Sequence, residues 1–105
     1  MMKMEVAGFE WDEGNWEKCE KHGVTRAEIE RFFVQDRLHV APSPRVSHGE
    51  ERYLAVGRGG EERPMFVVFT LRQSIGGFVI RPISARYMHK KEAQRYEKEM
   101  AKNED

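Results

Sequence analysis

The chain has 105 residues, enough for one domain but not for a second independent core, which needs roughly 50 residues of its own. Hydrophobic residues make up 39% and charged residues 34%, which excludes a disordered chain and predicts fraying only at residues 1–5 and 102–105. No apolar run reaches the ~20 residues that span a bilayer, and residues 1–10 lack the pattern of a signal peptide. We therefore expect a cytoplasmic protein without membrane contact.

The charge is balanced overall but uneven along the chain. Lys and Arg number 18, as do Asp and Glu, so the formal net charge is zero. Residues 1–36 hold five basic and nine acidic side chains, whereas residues 72–102 hold eight basic and three acidic ones. A neutral chain with this asymmetry can still present a basic face to phosphate. Net charge therefore does not exclude a nucleic-acid partner.

The N-terminal part predicts a short strand followed by a helix. Side chains alternate between apolar and polar from Phe9 to Trp11, which favours a strand. Asp12 stands where a helix N-cap belongs, so the first helix is predicted over 13–22. Gly23 follows as a terminator that tolerates left-handed backbone.

A second helix is predicted from the strongest local signal in the chain. Thr25 and Glu28 match a Thr-x-x-Glu capping box, and Val24 and Ile29 are spaced to close a hydrophobic staple around it. We expect this helix over 26–36, with a tight turn before it.

The second half predicts a loop, three strands and a helix. Residues 42–49 contain two prolines, two serines and a glycine, which is typical of a loop. Strands are predicted at 53–57, 65–71 and 78–83, with short connections that favour an antiparallel meander. A last helix is predicted over 89–102. The order β-α-α-β-β-β-α predicts an α+β fold, an antiparallel sheet with helices packed on one face.

Several short strings, in this order and spacing, resemble the BrnT toxin family. They are residues 9–12 (FEWD), Asn15, 21–24 (KHGV), 48–52 (HGEER), 57–58 (GR), 83–86 (ISAR), Glu92 and 96–97 (YE). The resemblance implies one RelE-like toxin domain over residues 1–105 that cleaves RNA and inhibits translation without a cofactor. It also implies a BrnA-like antitoxin with a ribbon-helix-helix part as the partner, so that DNA is bound only indirectly. The chain departs from the family pattern at Pro82, Met88 and His89.

Metal-free RNA cleavage moves the 2′-hydroxyl onto the adjacent phosphorus and requires a base, an acid and cations. Histidine has an unperturbed pKa near neutral pH, so His22 can act as base or acid. Glu51 is the second candidate proton-transfer group. Arg86, within the family string, completes the candidate catalytic set. Candidate ligands for RNA and its phosphates are Lys21, Arg52, Arg58 and Arg81. Arg72 is expected to be an ordinary solvated charge.

Each candidate also has a structural explanation. At the end of the first helix, His22 can interact with the last carbonyl groups. Glu51 and Arg52 are adjacent in a predicted strand, so they point to opposite faces and only one of them can face a cleft. Arg81 and Arg86 can form ordinary ion pairs. The carboxylates considered for these pairs are Glu50, Glu51 and Glu92.

Two functions from different classes fit the sequence. The first is a ribonuclease toxin. The alternative is a catalytically weak interaction module that binds a DNA-binding antitoxin to form a repressor complex, which the three departures from the family keep open. A metal site is not predicted, because the Cys19-x-x-His22 half-site has no second pair of ligands at suitable spacing.

Overall fold

Five strands and three α-helices form the described part of the protein. A computed structural model describes residues 6–35, 38–47 and 50–102, with the side chains of all but 44–47, 50 and 100–102. The elements are β1 (Val6–Phe9), α1 (Glu13–Glu20), α2 (Arg26–Phe32), β2 (His39–Ser47), β3 (Glu50–Arg58), a 3₁₀ turn (Gly60–Glu62), β4 (Pro64–Ser74), β5 (Gly77–Tyr87) and α3 (Lys90–Lys102). The predicted α+β class is confirmed.

The strands form one mixed sheet in the order β1-β5-β4-β3-β2. The predicted meander corresponds to β3, β4 and β5, whose pairings are antiparallel. The sheet differs from a purely antiparallel one because β1 pairs in parallel with β5. The predicted loop over 42–49 is wrong as far as Ser47, since these residues belong to β2. Prolines fit there because β2 is an edge strand, where a missing N–H can face away from the ladder. His48 and Gly49 lie outside the described residues.

Both N-terminal helices begin at the predicted caps. The Asp12 side chain accepts a hydrogen bond from the Asn15 N–H at 3.1 Å, and α1 follows. The Thr25 hydroxyl accepts one from the Glu28 N–H at 3.2 Å and starts α2. Gly23 between the helices has a φ of 79°, a left-handed conformation that glycine adopts without a Cβ penalty. The local capping signals thus determine where these two helices start.

Two hydrophobic cores lie on opposite faces of the sheet. Side chains alternate along β4, so Val67 and Phe69 pack under α1 and α2, whereas Phe66 faces α3. The expectation that the helices share one face therefore holds for α1 and α2 but is wrong for α3. The reason is that β3 and β4 also carry apolar side chains on their second face, and Ala93 and Tyr96 of α3 cover them.

Cys19 and Met88 have packing roles. Cys19 is fully buried in the larger core, and burial raises the pKa of its thiol to about 11. Met88, one of the departures from the family pattern, is 6% exposed and packs in the core beneath α3. Among the described residues no helix is long and apolar enough to cross a membrane.

Candidate functional site

Five arginines of β3, β4 and β5 project from the sheet face that carries α3. Thr70 is the direct partner of Arg81, and Phe66 is the direct partner of Arg86. Paired residues share a face, and Phe66 packs beneath α3. Because side chains alternate between the two faces along a strand, Arg52 and Arg58 of β3 and Arg72 of β4 lie on this face as well. We call this surface the arginine face, and its members are Arg52, Arg58, Arg72, Arg81 and Arg86.

A β-bulge in β5 brings Arg81 and Arg86 to the same face. In a regular strand two residues an odd number of positions apart point to opposite faces. Here consecutive residues of β4 pair with Ser84 and then with Pro82, so Ile83 is an extra residue in β5. Pro82 fits at this point because a bulge interrupts the ladder and does not require its N–H. The departure from the family at Pro82 is therefore compatible with a continuous β5.

Two members of the arginine face are tied to α3 by carboxylates. Arg86 donates from Nη1 and Nη2 to the two oxygens of Glu92, at 2.8 and 2.7 Å, and its guanidinium carbon lies 4.4 Å from the centroid of the Phe66 ring. Arg58 donates from Nη2 to Glu97 at 2.8 Å. The hydrogen bonds raise the pKa of Arg86 and lower that of Glu92. Ring and carboxylate together hold the fork of Arg86 in one orientation.

The segment between β1 and α1 supplies carboxylates to two more arginines. Arg81 donates from Nη1 to Asp12 Oδ2 at 2.7 Å and to Glu10 Oε1 at 3.5 Å. Arg72 lies 3.0 Å from Glu10 Oε2, so Glu10 bridges the two guanidinium groups. Arg72, expected to be an ordinary solvated charge, therefore belongs to the arginine face.

The buried amide of Asn15 fixes this segment against the bulge. Asn15 is 3% exposed, and its Oδ1 accepts a hydrogen bond from the Asp12 N–H at 2.7 Å. Its Nδ2 donates to the carbonyl oxygens of Glu10 and Pro82, each at 2.9 Å. One side chain thus joins the end of β1, the start of α1 and the bulge that orients Arg81.

The ion pair of Asp12 predicts a pH dependence of stability. Arg81 lowers the pKa of Asp12 below its ordinary value of 3.8. Since folding favours the ionised form, its stabilising contribution is complete above about pH 4 and is lost as the pH falls through the lower folded pKa. Asp12→Asn keeps an N-cap but removes this charge. In urea denaturation we expect the variant to be less stable than the wild type at neutral pH, with the difference vanishing in acid. A pH-independent difference would contradict the assignment.

The structure separates the predicted site residues into two groups. Lys21 and His22 are exposed in the turn after α1, and α1 packs on the face opposite α3. Glu51 also points away from the arginine face, since it accepts a hydrogen bond from the Tyr53 hydroxyl at 3.2 Å and Tyr53 stacks on the ring of Phe69. The structure therefore does not bring these residues to Arg86. It does bring together the remaining predicted members, Arg52, Arg58, Arg81 and Arg86.

An open cavity of about 850 Å³ adjoins one end of the arginine face. Its lining includes the charged side chains of Arg58 and Glu97, together with His39 and the apolar Val56. Sites for small ligands have volumes of roughly 300–1,000 Å³, and this cleft falls within that range. The arginine face therefore ends beside a cleft large enough for a small ligand.

Sequence reasoning missed the carboxylates of Glu10 and Asp12 and the hydroxyl of Thr70 as parts of this surface. Asp12 was identified as a helix cap, and it lies 69 positions from Arg81, so no local pattern joins them. Glu92, in contrast, was among the considered partners of Arg86, and that alternative is what the structure shows.

Comparison with known proteins shows the family of the chain. A family model described as the ribonuclease toxin BrnT of a type II toxin-antitoxin system matches residues 11–92. The chain belongs to the BrnT family. The match contains α1, the bulge and all five members of the arginine face. No curated protein matches the chain. Among the described residues, no three His, Cys, Asp or Glu side chains are grouped so as to hold a metal ion.

Proposed function

We propose that this BrnT-family chain is an endoribonuclease that binds RNA across the arginine face. The observation that supports this most directly is the bulge, which places Arg81 and Arg86 on the same sheet face as the arginines of β3 and β4. Guanidinium groups suit this task because they grip phosphate oxygens through two parallel hydrogen bonds. The function assigned to the family provides independent support.

The proposed reaction is internal transfer at phosphorus. The RNA 2′-oxygen bonds to the adjacent phosphorus, the bond to the 5′-oxygen breaks, and a 2′,3′-cyclic phosphate and a 5′-hydroxyl form. A base takes the proton of the 2′-hydroxyl, and an acid gives a proton to the departing 5′-oxygen. We assign Arg86 to the negative charge that builds on the phosphoryl oxygens, because its fork is already oriented. In this proposal the reacting centre lies at Arg86 and not at His22, Lys21 or Glu51.

The test uses purified protein and a labelled oligoribonucleotide in EDTA. We expect cleavage products that end in a 2′,3′-cyclic phosphate. The matched control is the same oligonucleotide with 2′-O-methyl groups, which cannot supply the attacking oxygen and should remain intact. Cleavage of the methylated control, or cleavage that depends on added divalent metal, would contradict the mechanism.

We further propose that the chain acts in the cytoplasm, stops translation by cutting RNA, and is neutralised by an antitoxin of the BrnA kind. The family is a type II toxin-antitoxin family, in which the toxin has a protein partner. A ribbon-helix-helix part of that partner would carry any contact with DNA. Co-expression of a BrnA-like antitoxin should restore growth and RNA integrity in cells that produce the chain.

A second candidate is the weak enzyme that serves mainly to bind its antitoxin. The observation that favours it is that four members of the arginine face already have carboxylate partners within the chain. These are Arg58, Arg72, Arg81 and Arg86. RNA must compete with those carboxylates for the guanidinium groups. Tight antitoxin binding with intact RNA after induction of the folded chain would favour this second function.

A further inference from the structure

Two buried polar atoms on the arginine face have no hydrogen-bond partner among the described residues. They are Thr70 Oγ1 and Arg52 Nε. Thr70 is 4% exposed and lies on β4, so its hydroxyl is a buried polar group that no described residue pairs. Leaving such a group unpaired destabilises a folded protein, and native structures contain few of them. Both atoms are therefore available to a partner that the described residues do not supply.

The two atoms belong to adjacent strands at the same level of the sheet. Tyr53 and Phe69 are direct partners, so the next opposed positions along β3 and β4 are Arg52 and Thr70. Thr70 in turn is the direct partner of Arg81 on β5. Side chains of opposed residues have Cβ atoms about 5 Å apart. Arginine, hydroxyl and arginine thus form one row across three strands.

The chemistry of this row selects an oxyanion. Arg52 Nε–H can only donate, and the Thr70 hydroxyl has a hydrogen to donate, so an acceptor that lies between them satisfies both. Arg52 is also the member of the arginine face that forms no ion pair with a described residue, whereas Arg81, at the other end of the row, already contacts Asp12. An anionic oxygen between Arg52 and Thr70 would meet a guanidinium group that no described carboxylate neutralises and one hydroxyl donor.

We propose that Thr70 and Arg52 form a phosphate subsite that holds a non-bridging oxygen of an RNA phosphodiester. This inference rests on the proposed function. On β4, Thr70 lies four residues from Phe66, which is opposite Arg86. That separation is roughly 13 Å along a strand. The subsite and Arg86 therefore hold different phosphates of one RNA chain, and the subsite serves to position a substrate longer than a dinucleotide.

The experiment measures binding of 2′-O-methyl oligonucleotides, which cannot be cleaved, to the full chain by fluorescence anisotropy. Thr70→Val removes the hydroxyl but keeps the shape of the side chain, and Thr70→Ser keeps the hydroxyl. Because one hydrogen bond to a charged oxygen is lost, we expect Thr70→Val to bind a hexanucleotide about tenfold more weakly. We expect Thr70→Ser to bind within about threefold of the wild type, and a dinucleotide to bind all three chains equally.

A second readout separates the subsite from a change in folding. Thr70→Val loses no hydrogen bond to a described residue, so its melting temperature should equal or exceed that of the wild type. In the NMR spectrum of the wild type, the Arg52 Nε–H signal should shift when the hexanucleotide is added. Equal hexanucleotide affinity for Thr70→Val and wild type would overturn the inference, as would a Thr70 dependence seen only with inorganic phosphate or only with the antitoxin.

The two proposals can fail independently. If the wild-type chain does not cut RNA but binds the hexanucleotide in a Thr70-dependent way, the subsite is supported and the enzymatic function is not. If the chain cuts RNA and Thr70→Val binds the hexanucleotide normally, the function stands and the subsite is overturned.

Discussion

The Arg86→Ala variant is expected to cleave RNA at least about 100-fold more slowly than the wild-type chain, because a preoriented donor to the transition state typically contributes that much. The structure gives a specific reason for the size of the effect. Glu92 and the face of Phe66 hold the Arg86 guanidinium in place, and the pair uses two of its five N–H donors, so the other three are already fixed in position when phosphate binds. The measurement is the single-turnover rate with a labelled oligoribonucleotide.

Two controls make this result specific. Arg86→Lys keeps the charge but loses the two-point contact, and we expect it to recover only a small part of the rate. His22→Ala changes an exposed residue on the other side of the protein and should cleave at nearly the wild-type rate. The Arg86 side chain is 38% exposed, so we expect its ion pair to contribute only about 1 kcal/mol or less to stability. Normal cleavage by folded Arg86→Ala, or loss of cleavage in His22→Ala, would place the reacting centre elsewhere.

The Asn15→Ala variant is expected to lose roughly 2–4 kcal/mol of unfolding free energy, because the three hydrogen bonds of a buried amide group disappear together. The change removes the acceptor of the Asp12 N–H and the donors to the carbonyls of Glu10 and Pro82. These groups lie where α1 meets the bulge, so Arg81 should also lose its fixed orientation. Urea denaturation measures the stability.

The matched control for Asn15→Ala is Glu17→Ala, an exposed position of the same helix. We expect this change to alter stability by only about 0.5 kcal/mol or less. Hexanucleotide affinity should fall more in Asn15→Ala than in Glu17→Ala under conditions where both chains are folded. Equal stabilities of the two variants would show that the buried amide does not tie α1 to the sheet.

Local signals in the sequence were sufficient for the helices and for the central meander. The side chains of Asp12 and Thr25 cap the first turns of their helices, and a cap acts within three residues. The alternation in β3 to β5 likewise depends on near neighbours, and the family strings contain Arg86 and Glu92. The sequence therefore predicts four of the five arginines as candidate ligands and does not predict Arg72.

Tertiary structure alone decided two features, the strand over residues 42–47 and the grouping of the arginines. The composition of 42–47 is typical of a loop, yet these residues pair as β2 because a strand at the edge of the sheet tolerates proline. Arg81 and Arg86 are an odd number of residues apart, and only the pairing of β5 with β4 creates the bulge that puts them on one face. Asp12 meets Arg81 because β1 joins β5 in parallel. Contacts of this kind depend on which distant segments pair and on where a bulge shifts their register, and the spacing of residues within one strand specifies neither.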